Sequence, residues 1–207
     1  MFIKICGIKD KKIIQCCEKN QIDFFGLIFY NKSPRNINKE DALKLLSFAN
    51  KLNIKPVGVF VNENINNLIR TLKLLNLKYV QLHGNEDQDY ITLLKQNLEI
   101  NIIKAISIEN KIDLKKIDNY ENVDYFLFDY KPKYKEMPGG NAKKFDWSIL
   151  QNLSINKPWF LSGGINASNI KEIKKFSIPN GIDISSGVED KPGIKNEEKI
   201  NNLIKML

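Results

Sequence analysis

Phe2-Ile3-Lys4-Ile5 begins the chain after its first methionine and runs directly into Cys6-Gly7-Ile8. The apolar residues predict a short buried β-strand, and Gly7 and Asp10 then indicate a turn into a helix. Parallel α/β proteins place their chemistry where strands end, so Cys6 is a candidate functional residue. A lone cysteine is more often a small buried thiol that only fills space. The choice between the two readings depends on residues far downstream.

The rest of the chain repeats an alternation of apolar strand-like runs with one-sided helical patterns. Helical spacing is clear over residues 42–49, 65–72 and 200–207, shorter over 90–94 and 170–176, and weakest over 108–122. Asp10, Asn38 and Asn166 are predicted to cap helix N-termini. The predicted strands are residues 2–5, 23–29, 57–61, 79–82, 102–106, 125–128, 159–161 and 181–184.

Strands that alternate with single helices predict right-handed crossovers and a parallel sheet. Eight such units either close into a barrel or open into a doubly wound sheet. The 207 residues are fewer than the typical barrel's, about 250, but lie within the lower range. No Gly-x-Gly-x-x-Gly follows the first strand, and no Pro-, Gly- or Ser-rich linker divides the chain. We therefore predict an α/β fold: one (β/α)8 TIM barrel of eight parallel strands, as a single catalytic domain over residues 1–207.

Composition narrows the possible partners. The net charge of +8 comes from Lys and Arg scattered among acidic residues, so anionic small molecules are favoured and nucleic acid is a weak second reading. Apolar runs fall short of the roughly 18 residues of a membrane span, and no signal peptide is evident. Cys6, Cys16 and Cys17 are odd in number, which argues against a disulfide framework and for the cytoplasm. His83 is the only histidine, so no histidine-built metal site is expected.

Two glycine-serine turns follow the last two predicted strands. They are Ser162-Gly163-Gly164 and Ser185-Ser186-Gly187. Glycines let a backbone approach a ligand closely, and TIM barrels often bind phosphate with the loops after strands seven and eight. Either turn alone can be a tight turn that needs glycine; the two together favour a phosphate site.

Three other residues near strand ends are candidates for chemistry. Asp129 follows an apolar strand, and partial desolvation would raise its proton affinity and suit it to be an acid, although a loop acid or a cap is the plainer reading. We expect Cys6 to face Asp129 across the barrel mouth. A nearby cation or helix N-terminus would lower the pKa of its thiol, so that a thiolate base could form near neutral pH. Arg35 is one of only two arginines among 32 basic residues, which indicates that its position depends on the planar geometry or the stacking of a guanidinium. Chance remains the alternative, since Arg70 has no evident role.

Several blocks of the sequence resemble the phosphoribosylanthranilate isomerase family of tryptophan biosynthesis. The blocks keep their order and approximate spacing from the first strand to the last, and this is more specific than any single motif. They are Lys4-Ile5-Cys6-Gly7-Ile8, Gly26-Leu27-Ile28-Phe29-Tyr30, Lys32-Ser33-Pro34-Arg35, Val57-Gly58-Val59-Phe60-Val61-Asn62, Val80-Gln81-Leu82-His83-Gly84, Phe145-Asp146-Trp147, Leu161-Ser162-Gly163-Gly164, Asp183-Ile184-Ser185-Ser186-Gly187-Val188-Glu189 and Pro192-Gly193.

The resemblance implies a cofactor-free and metal-free Amadori rearrangement of N-(5-phosphoribosyl)anthranilate to a 1-deoxyribulose phosphate. It implies that Asp129 protonates the furanose ring oxygen and that Cys6, as a thiolate, removes the C2 proton. Arg35 would lie near the anthranilate ring and Asp183 would help to fix the substrate. Gln81 and His83 would lie at the barrel mouth. The expected partner is this small substrate alone, without nucleic acid or membrane, and the protein would be a monomer or a homodimer.

The sixth loop departs from the family. Tyr130 stands where a small residue is usual, Gly139-Gly140-Asn141-Ala142 replaces Gly-Gly-Thr-Gly, and residues 131–138 lengthen the loop. A positive φ at Ala142 would be strained. Two other functions stay open at this stage: another phosphosugar enzyme, such as a histidine-pathway isomerase with aspartate in place of Cys6, and a non-catalytic basic binding protein.

Overall fold

A computed structural model describes residues 1–133, 139, 143–176 and 179–207. Eight parallel strands close into a barrel in sequence order, each bonded to the next and the eighth to the first. The predicted (β/α)8 barrel is therefore confirmed. The strands are β1 (Phe2–Cys6), β2 (Phe24–Phe29), β3 (Lys55–Phe60), β4 (Tyr79–Leu82), β5 (Asn101–Ile108), β6 (Tyr125–Tyr130), β7 (Trp159–Leu161) and β8 (Gly181–Ile184).

Helices surround the barrel, and a short hairpin follows its last strand. The α-helices are α1 (Lys11–Lys19), α2 (Lys39–Ala49), α3 (Ile65–Leu75), α4 (Gln88–Asn97), α5 (Ile173–Phe176) and α6 (Glu197–Ile204). The 3-10 helices are Lys111–Asn119, Trp147–Leu150, Ile170–Glu172 and Ser186–Val188, and the hairpin strands are β9 (Glu189–Lys191) and β10 (Ile194–Lys195). Across these described elements, no helix combines the length and the hydropathy that crossing a membrane requires.

Two of the three predicted helix caps are confirmed. The carboxylate of Asp10 accepts a hydrogen bond from the backbone of α1, and the side chain of Asn38 does the same for α2. The prediction for Asn166 is wrong, because the helical residues begin at Ile170 and Asn169 occupies the N-cap position. Asn166 instead stabilises the preceding turn, where its side-chain oxygen accepts from Ser168 N at 2.8 Å.

The period of two along each strand explains how the barrel interior is filled. Near the amino-terminal ends of the strands, Phe2, Phe24 and Phe160 pack edge to face or tilted, with ring centroids 5.9 to 6.5 Å apart. Two residues further along each strand the side chain points inward again. By this alternation the inward positions of β1 after Phe2 are Lys4 and then Cys6. The inward face of β1 is therefore apolar at its amino-terminal end and polar toward its carboxyl end.

Candidate active site

The carboxyl ends of the strands surround a cleft of about 480 Å³. Six side chains predicted to be catalytic or to bind the substrate away from its phosphate line this cleft. They are Cys6, Arg35, Gln81, His83, Asp129 and Asp183. The sequence places them on loops and strands spread over almost the whole chain, so closure of the barrel is what assembles the site.

Cys6 lies at the end of β1, and only 5% of its surface is exposed. Gly26 on β2 makes room for the thiol, since a Cβ on Gly26 would lie 2.7 Å from Cys6 Sγ. Burial raises the pKa of Cys6 above its ordinary value, while the cations of Lys4 and Lys195 act in the opposite direction. The expectation that nearby cations bring the thiol pKa down is therefore wrong in its net direction, because burial together with the Asp183 carboxylate outweighs both lysines.

A buried ion pair lies inside the barrel next to Cys6. Lys4 is fully buried, and its Nζ is 2.9 Å from Asp183 Oδ1. Burial lowers the pKa of Lys4, but Asp183 and Cys6 outweigh burial and raise it, so the ammonium stays charged. Asp183 thus joins the cleft as the partner of a cation that strand alternation places inside the barrel.

Asp129 is one member of a chain of three hydrogen-bonded side chains. Its Oδ2 is 3.1 Å from His83 Nε2, and its Oδ1 accepts from Tyr130 N at 2.8 Å. His83 Nδ1 lies 2.8 Å from Gln81 Nε2. With the amide in this orientation Nδ1 accepts, so the imidazole proton resides on Nε2 and is donated to Asp129. The structure therefore gives His83 and Gln81 a defined place beside the candidate acid.

Gln81 carries an unsatisfied polar atom into the same cleft. The side chain is 1% exposed, and among the described residues its Oε1 has no hydrogen-bond partner. A buried acceptor of this kind is normally paired. Its position in the cleft lining makes it an acceptor available to a hydroxyl or amine of a bound molecule.

Arg35 crosses the barrel mouth directly beside the Cys6-Gly7 turn. A Cβ on Gly7 would lie 2.7 Å from Arg35 Cδ, and Gly7 has a φ of +82°, so only glycine suits that position. The Arg35 guanidinium donates through Nε and Nη2 to the two carboxylate oxygens of Glu189, at 2.8 and 2.7 Å. The sequence indicated Arg35 but not Glu189, because 154 residues separate the two and neither lies in a local pattern with the other.

A second, smaller cleft of about 330 Å³ adjoins the first between the loops after β7 and β8. Four of the five residues predicted at phosphate line it: Gly163, Gly164, Ser185 and Ser186. The fifth, Gly187, packs behind it, since a Cβ there would lie 1.9 Å from the carbonyl oxygen of Ile165 and collide with it.

The glycines of the seventh loop have positive φ values, +86° at Gly163 and +68° at Gly164. A Cβ on Gly163 would lie 3.0 Å from Asp129 Oδ1, and one on Gly164 would lie 2.8 Å from the carbonyl carbon of Lys143. Close packing beneath the sixth loop therefore requires both glycines, in addition to any role toward a ligand.

The departures in the sixth loop are only partly visible. Tyr130 lines the smaller cleft, with its ring centroid 5.8 Å from Lys143 Nζ, so the large residue borders the predicted phosphate position. Ala142, with its predicted strain, and most of the lengthened segment lie outside the described residues, as do Gly140 and Asn141.

Comparison with known proteins agrees with this geometry. The family described as N-(5'phosphoribosyl)anthranilate (PRA) isomerase matches residues 3–206. The N-(5'-phosphoribosyl)anthranilate isomerase of Thermoanaerobacter pseudethanolicus is 40% identical, over 98% of this chain and 95% of that protein. A phosphoribosyl anthranilate isomerase solved with reduced 1-(o-carboxyphenylamino)-1-deoxyribulose 5-phosphate superposes with a TM-score of 0.83 at 30% identity, covering 99% and 97% of the two chains.

Monomers generated from the dimeric enzyme of Thermotoga maritima give a TM-score of 0.84 at 31% identity, with the same coverage. The family match spans nearly the whole chain, and the matching strands are those that carry the cleft. The chain therefore belongs to the N-(5'-phosphoribosyl)anthranilate isomerase family, the enzymes that isomerise this phosphosugar in tryptophan biosynthesis.

Proposed function

We propose that Asp129 and Cys6 perform this isomerisation as a general acid and a general base. The observation that carries the proposal is that β1 and β6, which are not neighbours in the barrel, deliver the two side chains to one cleft. Asp129 gives a proton to the furanose ring oxygen, the bond from C1 to that oxygen breaks, and the anthranilate nitrogen forms a Schiff base with C1. The Cys6 thiolate then removes the C2 proton, and the resulting enolamine tautomerises to the ketone.

The surrounding side chains support these two steps. His83 Nε2 and Tyr130 N donate to the two oxygens of Asp129, so they orient its carboxyl group and stabilise the carboxylate that remains once Asp129 has given its proton to the sugar. The Lys4 ammonium lies close enough to Cys6 to favour its thiolate. We propose that Arg35 orients the anthranilate ring, and that Asp183 and the buried Gln81 oxygen receive hydroxyls of the sugar.

The phosphate of the substrate is proposed to occupy the smaller cleft. Gly163, Gly164, Ser185 and Ser186 bring backbone to its surface without bulky side chains, which suits backbone N–H groups as donors to an anion. Gly187 supports this cleft from behind by letting the loop after β8 approach Ile165. The distance between phosphate and sugar then sets C1 and C2 beside Asp129 and Cys6.

The protein is proposed to work in the cytoplasm on this small substrate, as a monomer or a homodimer. All three of its cysteines are free thiols, which fits a reducing compartment. Cys16 and Cys17 lie on α1, away from the cleft, so they are not candidates for the base.

Turnover of the acid and base variants tests the mechanism, followed as the loss of anthranilate fluorescence from the substrate. Cys6→Ser and Asp129→Asn should each lower kcat by about 100- to 10,000-fold, the usual contribution of a general acid or base. Both variants should keep the melting temperature of the parent within a few degrees, because neither removes packing. Cys16→Ser and Asp124→Asn are matched controls that change the same chemistry outside the cleft, and both should retain parental kcat. A folded Cys6→Ala protein with near-parental rate would refute Cys6 as the base.

A further inference from the structure

The hairpin formed by β9 and β10 is docked on the loop that carries Arg35. Gly193 lies at the turn of the hairpin with a φ of +85°, and a Cβ there would lie 2.5 Å from the carbonyl oxygen of Pro34. Lys9 Nζ donates to that same oxygen at 3.1 Å. The backbone immediately before Arg35 is therefore in close contact with an element that follows the last barrel strand.

Two buried charged side chains of the hairpin extend this contact toward the cleft. Glu189 on β9 and Lys195 on β10 are each 9% exposed. Glu189 receives the bidentate guanidinium of Arg35, and its Oε1 also accepts from Lys195 Nζ at 2.6 Å. Bidentate pairing fixes a guanidinium in one plane, which a single hydrogen bond does not.

Lys195 connects the same group of charges to the end of β1. Its Nζ donates to Ser185 O at 3.1 Å and lies 3.3 Å from Ser185 Oγ. Ser185 Oγ in turn donates to the backbone oxygen of Cys6 at 3.0 Å. An unbroken series of hydrogen bonds thus runs from Arg35 through Glu189 and Lys195 to the residue proposed as the base.

We propose that Glu189 and Lys195 are positioning residues for the isomerisation: Glu189 fixes the plane of the Arg35 guanidinium at the cleft, and Lys195 supports Glu189 and Ser185 and places a cation beside Cys6. The proposal rests on the function proposed above for Arg35 and Cys6. It assigns roles to two residues that do not themselves line the main cleft.

Glu189 is suited to this work by its own electrostatics. Burial opposes its ionisation, but Arg35 and Lys195 outweigh burial and keep the pKa of Glu189 below its usual range. Burial lowers the pKa of Lys195, with Glu189 as the largest opposing influence. Each of the two charges therefore depends on the other for its stability in the buried hairpin.

The charge near Cys6 has contributions from several elements. Lys195 acts on the thiol in the same direction as Lys4, while Asp183 acts against them. Losing the Lys195 cation should therefore raise the pKa of Cys6 further. Within the described part of the chain, the charged and titratable groups around Cys6 and its cleft are Lys4 on β1, Tyr30 and Arg35 after β2, His83 after β4, Asp129 on β6, Asp183 on β8, Glu189 on β9 and Lys195 on β10.

Steady-state kinetics test the Glu189 half of the proposal. Glu189→Gln keeps the shape but replaces one acceptor oxygen with a donor, so kcat/KM should fall roughly 10- to 100-fold as Arg35 loses its fixed plane. Arg35→Lys should fall by a similar factor, and the double variant should be little worse than either single one. Asp190→Asn, which removes an exposed carboxylate from the next position of β9, is the matched control and should behave as the parent. Full additivity of the two losses, or a Glu189→Gln enzyme with parental kcat/KM, overturns this half.

The pH profile tests the Lys195 half. Lys195→Met should move the acidic limb of kcat/KM upward by at least about half a pH unit, because a cation near the thiol is lost. Lys195→Arg keeps a charge that does not titrate and should restore the parental limb. Direct titration of the Cys6 thiolate by ultraviolet absorbance, in a Cys16→Ser/Cys17→Ala background, should show the same shift without substrate. Unmoved profiles and thiol titration in Lys195→Met overturn this half.

Folding and function are kept apart in these tests. If Glu189→Gln does not fold, Glu189→Gln/Lys195→Met removes the Lys195 cation as well, so that one buried cation, Arg35, loses the Glu189 carboxylate instead of two. Its kcat/KM should fall as in Glu189→Gln, and a folded double variant with parental kinetics overturns the proposal. An active Cys6→Ala enzyme refutes the proposed base. If Cys6→Ala is inactive but every Glu189 and Lys195 variant has parental kinetics, the base stands and only the positioning role is refuted.

Discussion

His83 Nε2 lies 3.1 Å from Asp129 Oδ2, so the imidazole of the loop after β4 contacts the carboxylate at the end of β6. β5 stands between these two strands in the barrel, and the contact therefore crosses the mouth of the cleft rather than following the sheet. Gln81 on the other side of the imidazole fixes which nitrogen faces Asp129. The hydrogen bond from Gln81 therefore orients His83, and His83 in turn orients the candidate acid Asp129.

His83→Phe tests this contact while keeping an aromatic ring of similar size. Without the Nε2 donor, Tyr130 N is the one hydrogen-bond donor to Asp129 that remains among the described residues, and the carboxyl group can rotate away from the ring oxygen of the sugar. We expect kcat to fall by about tenfold or more with a smaller change in KM. Stopped-flow fluorescence of single turnovers measures the step directly. Tyr90→Phe removes a hydrogen bond to Glu63 O outside the cleft and should leave kcat unchanged.

Gln81→Met should reproduce part of the His83 effect. The change removes the donor to Nδ1 and leaves the imidazole free to place its proton on either nitrogen. A loss of about 3- to 10-fold in kcat is expected, since this is one neutral hydrogen bond in a buried chain. In the His83→Phe background the same substitution should lower kcat less than in the parent, and the remaining effect, through the contact proposed between Gln81 Oε1 and the sugar, should appear mainly in KM. A loss of equal size in both backgrounds would show that Gln81 acts on the substrate alone.

The sequence was sufficient for the fold because periodicity is local. Alternation along each strand and one-sided spacing along each helix reflect which side chains face the core, and neighbouring residues carry that signal. The Asn166 prediction was wrong for a local reason too: the side chain stabilises a turn that precedes the helix, and an asparagine suits both places.

The buried charges of the site were not predictable in the same way. Lys4 is a charged residue in a short apolar strand, and its partner Asp183 lies 179 residues away. Glu189 and Lys195 are close in sequence, but their importance depends on Arg35, which only the closed barrel brings near. The raised pKa of Cys6 likewise follows from burial in three dimensions, and the sequence shows only the nearby lysine.

Ser186→Glu tests the proposed phosphate cleft. A carboxylate at this lining position should repel a phosphate dianion, and KM should rise by about tenfold or more while kcat changes less. Ser154→Glu places the same charge at an exposed position that precedes β7, at the opposite end of the strand, and serves as the control. Equal KM values for the parent and Ser186→Glu would place the phosphate elsewhere.

Gly164→Val is a less selective test of the same cleft. A Cβ at Gly164 would lie within 3.0 Å of the backbone of Lys143 and Lys144, and its φ of +68° is unfavourable for a β-branched residue. We therefore expect the melting temperature to fall together with activity. Differential scanning calorimetry beside the kinetics separates the two effects, and an unchanged melting temperature would contradict the packing argument.

Lys104→Met tests a buried ion pair that supports the loop carrying His83. Lys104 Nζ is 2.8 Å from Glu86 Oε2, and the two side chains are 1% and 2% exposed. Glu86 also accepts from Asn62 N and Gly84 N, which ties the loops after β3 and β4 together. Removing one partner from a buried pair typically destabilises a protein by about 3–5 kcal/mol. Urea denaturation should show that loss, whereas Lys44→Met at an exposed pair should leave the midpoint unchanged.

The pH dependence of the parent enzyme tests the assignment of Cys6 as the base. Burial raises the pKa of Cys6, so its thiol ionises at a higher pH than an ordinary cysteine does. A base must be ionised to act, and kcat/KM should therefore rise with pH from neutrality into the alkaline range. Below the thiol pKa the increase should approach about tenfold per pH unit, because the thiolate fraction grows by that factor. Because kcat/KM compares the transition state with the free enzyme and free substrate, its pH profile reports ionisable groups of the free enzyme.

Cys6→Ser should lose this alkaline rise within the range where the protein stays folded, because a serine hydroxyl does not ionise there. A parental kcat/KM that is flat from neutral to alkaline pH would contradict a buried thiol as the base.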